Sequence, residues 1–316
     1  MPRPASAFDR QRASPSGVLP VDKGAGVTSF QVVARVRRLL GGPKLGHGGT
    51  LDPDATGVLP LLVGEATKLM PYLADLEKEY VAAVRLGVVT DTQDLSGAVL
   101  QTRPVPDLSA GALQAVLARF VGEIEQVPPM YSAVHHEGKR LYAIAREGGT
   151  VERAARRVRV HAIALESLAA DEFTMRVRCG GGTYVRTLAA DVGEALGCGA
   201  AIARLTRTRV GPYDLASAVP WDELQALRDA GPVWGRLQGP DSALAGRPAV
   251  RLDAGQHRVF THGQPVTVPA APDGDGVVRV YGGDGRFVGV GLRCGATVRP
   301  ERLLHADPAR PSVLPV

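Results

Sequence analysis

Apolar residues recur at every second position in several separate stretches of this chain, and that recurrence limits the folds open to it. Tyr80, Ala82, Val84 and Leu86 form one such set. Val158, Val160, Ala162 and Ala164 form a second, and Phe173, Met175, Val177 and Cys179 a third. A period of two places one face of a strand in a core. Helical spacing interrupts these runs. Thr28 and Gln31 make a capping-box pattern, and Phe30, Val33, Val36 and Leu40 follow as one helix face until Gly41-Gly42-Pro43 stops it. A second helix is expected from Ser109, carrying Leu113, Val116, Leu117 and Phe120 on one side and closed by Gly122. Gly180-Gly181-Gly182 turn the chain into a third, with Val185, Leu188, Ala189, Val192 and Leu196 facing inward. Strands outnumber helices and do not alternate strictly with them. This predicts an α+β fold with a mixed, largely antiparallel sheet rather than a doubly wound one.

The same reading divides the 316 residues. Residues 1–17 and the last ten are expected to be loose tails. Residues 18–240 form a main domain. Within it, 128–157 is rich in His, Arg, Lys and Gly and reads as an exposed excursion. A linker is expected over 234–247. Short strand candidates at 266–268, 277–281 and 287–292, with the hairpin signal Gly282-Gly283-Asp284-Gly285, predict a small β domain over 248–305.

Composition narrows the function. The chain carries +5 net charge, and all but five of its 37 basic residues are arginine. A basic surface rich in guanidinium forks suits a polyanion such as nucleic acid. Cys179, Cys198 and Cys294 have no CxxC spacing, so neither a disulfide framework nor a zinc site is expected; buried, reduced thiols in a cytoplasmic protein are. The N-terminus lacks the apolar core of a signal peptide, and no stretch approaches 18 uncharged apolar residues, so no membrane span is expected. The phosphate-loop, nucleophile-elbow and zinc-protease motifs are missing. His135-His136-Glu137 lies in a charged, exposed segment and is read as solvated rather than metal-binding, so no metal is expected.

One motif stands apart. The run GHGGTLDPDATGVL, residues 46–59, sets Asp52 between a glycine-rich turn and Pro53. Gly48 and Gly49 open backbone conformations closed to other residues, and Pro53 restricts the backbone on the far side of the carboxylate. An Asp-Pro pair commonly marks an ordinary turn, but this stiffness suits a positioned reagent. A nucleophilic carboxylate must stay ionised although burial raises its pKa, so it needs a cationic partner. Arg186, just inside the third helix, is the candidate; a solvent-facing helix position is the other reading, and the residues alone leave both open.

GHGGTLDPDATGVL resembles the signature of TruB-type tRNA pseudouridine synthases. VDKGAGVTSF resembles the family's lysine-bearing N-terminal segment and EYVAAVRLGVVTDTQD its strand and acidic turn. PPMYSAVHHEGKRLYAIAREG resembles its RNA-gripping insertion and GGGTYVRTLAADVGEALGCGA its last catalytic motif. The C-terminal stretch is similar to the small β-barrel-like, PUA-related domain of bacterial members.

The resemblance implies a pseudouridine synthase core that isomerises uridine-55 in the T arm of tRNA. Asp52 would be the catalytic nucleophile, held ionised by Arg186. Tyr80 would stack on the base, with its hydroxyl near the site of proton transfer, and Tyr184 and Leu205 would complete the uracil pocket. His47 would occupy space vacated by flipped bases, and Lys23 would contact substrate. No cofactor is implied, because the reaction involves neither redox change nor net hydrolysis. The expected partner is the tRNA T stem-loop, bound by a monomer without a protein partner or a membrane. Two positions depart from the family pattern: Gly24 replaces a usual proline, and His135 a common lysine. The alternatives are a non-catalytic RNA-binding or RNA-folding module and a guide-dependent relative working in a ribonucleoprotein.

Overall fold

The computed structural model describes residues 15–132, 134–269 and 274–305. Most of the expected N-terminal tail and all of the C-terminal one lie outside the described residues, but Gly17 already opens the first strand.

The chain starts with β1 (Gly17–Lys23) and α1 (Ser29–Leu39), then β2 (Leu45–His47) and β3 (Thr56–Val63). After a tight 3-10 turn and α2 (Met70–Ala74) come β4 (Lys78–Leu86), the hairpin β5 (Val88–Thr90) and β6 (Val99–Thr102), α3 (Ala110–Ala118) and β7 (Gly122–Gln126). The exposed excursion folds as the ribbon β8 (His135–His136) and β9 (Lys139–Arg140), followed by α4 (Leu141–Arg146). β10 (Arg156–Leu168), β11 (Glu172–Cys179), α5 (Val185–Ala195), β12 (Ala200–Val210), β13 (Tyr213–Asp214) and β14 (Val219–Pro220) complete the main sheet, and α6 (Trp221–Ala226) and α7 (Gly231–Arg236) follow.

Among the described residues the main sheet has ten strands, running β14-β1-β3-β12-β4-β11-β10-β7, with β2 added on β3 and β13 on β12. Only the β1–β14 and β3–β12 pairs are parallel; the others are antiparallel. The expected α+β class and mixed, largely antiparallel sheet are what the chain adopts.

One face of this sheet packs under α1, α3 and α5 in a core that includes Leu59, Leu61, Tyr80, Ala82, Val84, Met175 and Leu188. At the β1–β3 end the other face is also covered. There Val18, Val58 and Leu62 pack with Tyr281, Phe287 and Val290 of the C-terminal sheet. β3 is thus buried on both sides, which explains its unbroken apolar run rather than an alternating one.

The C-terminal sheet orders β15 (Ala249–Arg251), β17 (Gly276–Tyr281), β18 (Phe287–Cys294), β19 (Thr297–Leu303) and β16 (Val266–Thr267). α8 (Ala254–Thr261) starts on a capping box at Asp253. The hairpin signal at residues 282–285 falls between β17 and β18, as expected.

Four expectations need correction. Of the expected inner face of α1, Val33, Val36 and Leu40 are buried, but Phe30 is 73% exposed and Val32 is buried in its place. In β10 a register shift between Val160 and Ala162 turns Ile163 inward and leaves Ala164 exposed. One extra residue moves every later side chain to the opposite face. The stretch 234–247 is no free linker: Gln238 pairs with Val18, and Ala243 and Leu244 are buried. Cys179 and Cys198 are buried and free, but Cys294 is exposed.

Gly57 marks the crowded junction of β1, β3 and β12. It has φ +101, and an added Cβ would lie 2.2 Å from the Arg207 carbonyl oxygen. Gly57→Ala should therefore destabilise the fold by about 2–4 kcal/mol, combining backbone strain and overpacking. Gly111, in α3, has open space around it, and Gly111→Ala should stabilise by about 0.5–1 kcal/mol. Urea unfolding of both variants checks the opposite signs.

Candidate active site

The loop between β2 and β3 carries Asp52, and its Gly49, Thr50, Leu51 and Pro53 carbonyls are held by side chains from outside it. Arg207, on β12, is 1% exposed; its Nε donates to the Val58 carbonyl (2.8 Å), Nη2 to Gly49 (3.1 Å) and Nη1 to Thr50 (3.4 Å). It grips both limbs of the loop at once. Ser29, at the start of α1, accepts from the Leu51 N–H (2.9 Å) and donates to the Leu51 carbonyl (3.1 Å). Lys23 donates its three protons to the carbonyls of Gly24, Val27 and Pro53 at 2.8–2.9 Å. Gly49 adopts φ +125, with Arg207 and Lys78 lying beneath it. Buried backbone groups require partners, and here cationic side chains supply them.

Asp52 meets Arg186 in a two-pronged contact. Arg186 Nε lies 2.9 Å from Oδ2, and Nη2 donates to Oδ1 at 3.2 Å. Arg186 is 5% exposed and is itself immobilised: Nη1 donates to the Thr92 carbonyl (2.6 Å) and Nη2 to the Tyr131 carbonyl (2.8 Å). These carbonyls come from the acidic turn after β5 and from the start of the excursion. Asp94 stands 3.9 Å from Nη1. At the base of α5, Gln126 exchanges two hydrogen bonds with the Tyr184 backbone, in place of a side-chain cap.

Two-fifths of the Asp52 side chain, 39%, remains open, yet the surrounding protein desolvates the carboxylate and pushes its pKa above the usual range. Arg186 pulls it down, Asp94 pushes it up, and Lys23 pulls it down from below. Burial lowers the Lys23 pKa to about 8. His47 is also lowered, by burial and then by Arg207 and Arg140, so its ring is neutral at pH 7. Burial raises the Tyr80 hydroxyl, which therefore stays protonated.

A cavity of about 1080 Å³ opens over this pair. Asp52, Arg186, His47 and Leu205 line it, together with Arg140 from the excursion. His47 Nδ1 and Ser132 Oγ, on two lining residues, are buried without a hydrogen-bond partner among the described residues. Three expected residues lie elsewhere. Tyr80 is buried beneath the loop, opposite Arg207 in the β4–β12 register. Tyr184 is half-buried at the base of α5 and does not line the cavity. Lys23 is fully buried with its donors spent, so it braces the loop rather than reaching outward as a substrate contact. Arg207, Lys78 and Gln126 did not stand out in the sequence, because an Arg, Lys or Gln in a strand gives no local sign that its side chain will bond to backbone groups. Among the described residues, no group of His, Cys, Asp and Glu is arranged to hold a metal ion, and no helix is long and apolar enough to cross a membrane.

Known proteins place this geometry. Residues 37–185 match the family model for the TruB family pseudouridylate synthase N-terminal domain. Residues 186–232 match the tRNA pseudouridylate synthase B C-terminal domain, and 248–304 the C-terminal domain of pseudouridine synthase II TruB. The chain is 48% identical over 313 residues to tRNA pseudouridine synthase B of Burkholderia mallei, covering 96% of this chain and 97% of that protein. It is 49% identical over 297 residues to the protein of that name in Cupriavidus metallidurans, covering 91% and 94%. A Cbf5 chain solved in a Cbf5–Nop10–Gar1 complex superposes with a TM-score of 0.72 at 26% identity, covering 96% of this chain and 88% of that one. A second, from an archaeal box H/ACA Nop10–Cbf5 complex, gives 0.70 at 25%, covering 98% and 92%. Fold and sequence together define a pseudouridine synthase, an isomerase. The chain belongs to the TruB family of these enzymes.

The raised Asp52 pKa sets an expected pH dependence. Where turnover requires Asp52 ionised, it is present above the Asp52 pKa and lost as pH falls through it. The acid limb of the single-turnover rate should thus lie above the roughly 3.9 of a free aspartate. Arg186→Lys removes the fork; it should move that limb further up and slow the step about 10²-fold. A limb at or below the free value would contradict this electrostatic picture.

Proposed function

We propose that this chain converts uridine-55 in the T arm of tRNA to pseudouridine, with Asp52 as nucleophile and the target base flipped from its stack. The observation that carries this reading is the Asp52–Arg186 pair, fixed at the wall of a cavity that Arg140 and the excursion border. The reaction breaks the N1–C1′ bond, turns the uracil and forms C5–C1′, while a proton leaves C5 and N1 gains one. Asp52 can attack C1′, take a sugar proton to give a glycal, or add at uracil C6; each route needs it ionised. The relatives' shared name, tRNA pseudouridine synthase B, supports tRNA as the substrate.

In this reading Leu205 bounds the uracil pocket and neutral His47 fills space left by displaced bases. Tyr80 and Tyr184 stand off the cavity wall, beneath the loop and at the base of α5, so their contact with the base requires the RNA-bound site to open toward them. A duplexed base is beyond reach of a carboxylate on a cavity wall, so extrusion is required. The fold neighbours solved as Cbf5 in multi-protein complexes suggest a guided mode as the second reading. The protein-only mode is preferred because the chain carries its own excursion at the cavity.

Asp52→Asn should abolish pseudouridine formation on unmodified tRNA while leaving the Kd for that tRNA within about threefold, since the substitution keeps the shape and removes the nucleophile. Product mapping and a filter-binding titration read both quantities. Product from the pure protein on a bare T-arm stem-loop separates the protein-only from the guided mode. Arg140→Ala, at an exposed position bordering the cavity, should weaken binding about equally across RNA variants and reduce the salt slope by about 1.

A further inference from the structure

The apolar side chain that sequence periodicity assigns to the α1 core is the most exposed of the large apolar side chains among the described residues. Phe30 is 73% exposed and lines the Asp52 cavity. Its position is rigid. Thr28 caps α1 through a full capping box with Gln31. Ser29, the residue before Phe30, makes two hydrogen bonds to Leu51, the residue before Asp52. Phe30 and Asp52 thus extend directly from the two ends of one hydrogen-bonded bridge. An aromatic ring left in water beside a reacting carboxylate forgoes the burial that Val32 and Val33, in the same helix, obtain.

A second aromatic borders the same cavity. Tyr142 of α4 is 39% exposed, and the Arg146 guanidinium lies 5.7 Å from its ring centroid. Stacked guanidinium and aromatic faces are the surfaces on which unpaired bases settle. Size points the same way. The cavity, at about 1080 Å³, exceeds the roughly 300–1,000 Å³ that holds a whole drug-sized ligand, so a single uracil leaves much of it unfilled.

We propose that Phe30 is a stacking platform for a second unpaired nucleobase, one adjoining the target uridine in the bound RNA. The proposal rests on the reading that the substrate is RNA with a flipped uridine. It adds a contact that selects RNA in which a neighbour of the target is also free to unstack. Sequence tolerance is a consequence, because every base presents a π face.

The test compares wild type with Phe30→Ala, Phe30→Leu and Phe30→Trp on T-arm stem-loops. One stem-loop is natural; two others carry an abasic nucleotide immediately 5′ or 3′ of the target. On the natural RNA, Phe30→Ala and Phe30→Leu should each raise Kd about 5- to 150-fold, the range that a stacked base's 1–3 kcal/mol converts to. Phe30→Trp should stay within about threefold. One of the two abasic RNAs should cost the wild type a similar factor and cost Phe30→Ala no more than about twofold. An unchanged Kd for Phe30→Ala on natural RNA overturns the proposal. So does a loss of equal size on all three RNAs, or full affinity in Phe30→Leu, since either means that bulk rather than a π face matters. Because residue 30 is exposed, the variants should unfold at the wild-type temperature, which thermal denaturation verifies. Wild-type product on the natural stem-loop reports on the proposed function separately, since the binding comparison stands with or without turnover.

Discussion

The site depends on one guanidinium remaining where it is. Arg186 faces a desolvated carboxylate and must offset that desolvation in a fixed geometry. A buried ion pair of this kind adds little to folding, because dehydrating both partners offsets most of their attraction. Its value is electrostatic: it favours the ionised form of Asp52 against the desolvation that raises its pKa. Two further donations fix Arg186, to Thr92 from the turn after β5 and to Tyr131 from the start of the excursion. The segment expected to hold RNA and the group that sets Asp52's charge are therefore joined by a single hydrogen bond.

The sheet supplies the second half of the arrangement. β3 and β12 run parallel and pair only at Thr56–Thr206 and Gly57–Arg207, next to the Asp52 loop. On its other edge β12 pairs antiparallel with β4 from Ala200 to Val210, which sets Arg207 opposite Tyr80. One short parallel contact thus gathers the loop, its guanidinium clamp and the tyrosine at one edge of the core. Glycine at position 57 is the condition for that approach, because a Cβ would collide with the β12 backbone.

Much of this was legible in the sequence, and the exceptions share a cause. The alternation of β4 and β11, the caps at Thr28 and Ser109, and the Asp52 loop all arise from local rules. β1 and β3 are buried on both faces and show no alternation. β12 carries Arg204, Arg207 and Arg209, and nothing in that local sequence marks Arg207 as the buried one while its neighbours reach solvent. The bulge in β10 and the outward turn of Phe30 depend on what packs from elsewhere, and no window of neighbouring residues contains that information. The pairing of Asp52 with Arg186 could be argued chemically but not located, since 134 residues separate them in sequence.

The buried cations show why the loop is held as it is. Lys23 and Arg207 bond to backbone carbonyls around the loop, and Lys78 to the carbonyls of Ala74 and Leu76. A carboxylate would be the stronger partner for each. It would also place negative charge near Asp52, where Asp94 already raises the pKa and Lys23 lowers it. Carbonyl dipoles satisfy the cations without cancelling their field, so Lys23 continues to favour the ionised form of Asp52 across the loop. The cost falls on the lysines, whose pKa values drop to about 8. Anchoring by neutral acceptors therefore lets one set of side chains hold the loop rigid while leaving Asp52 as the carboxylate that faces Arg186 at close range.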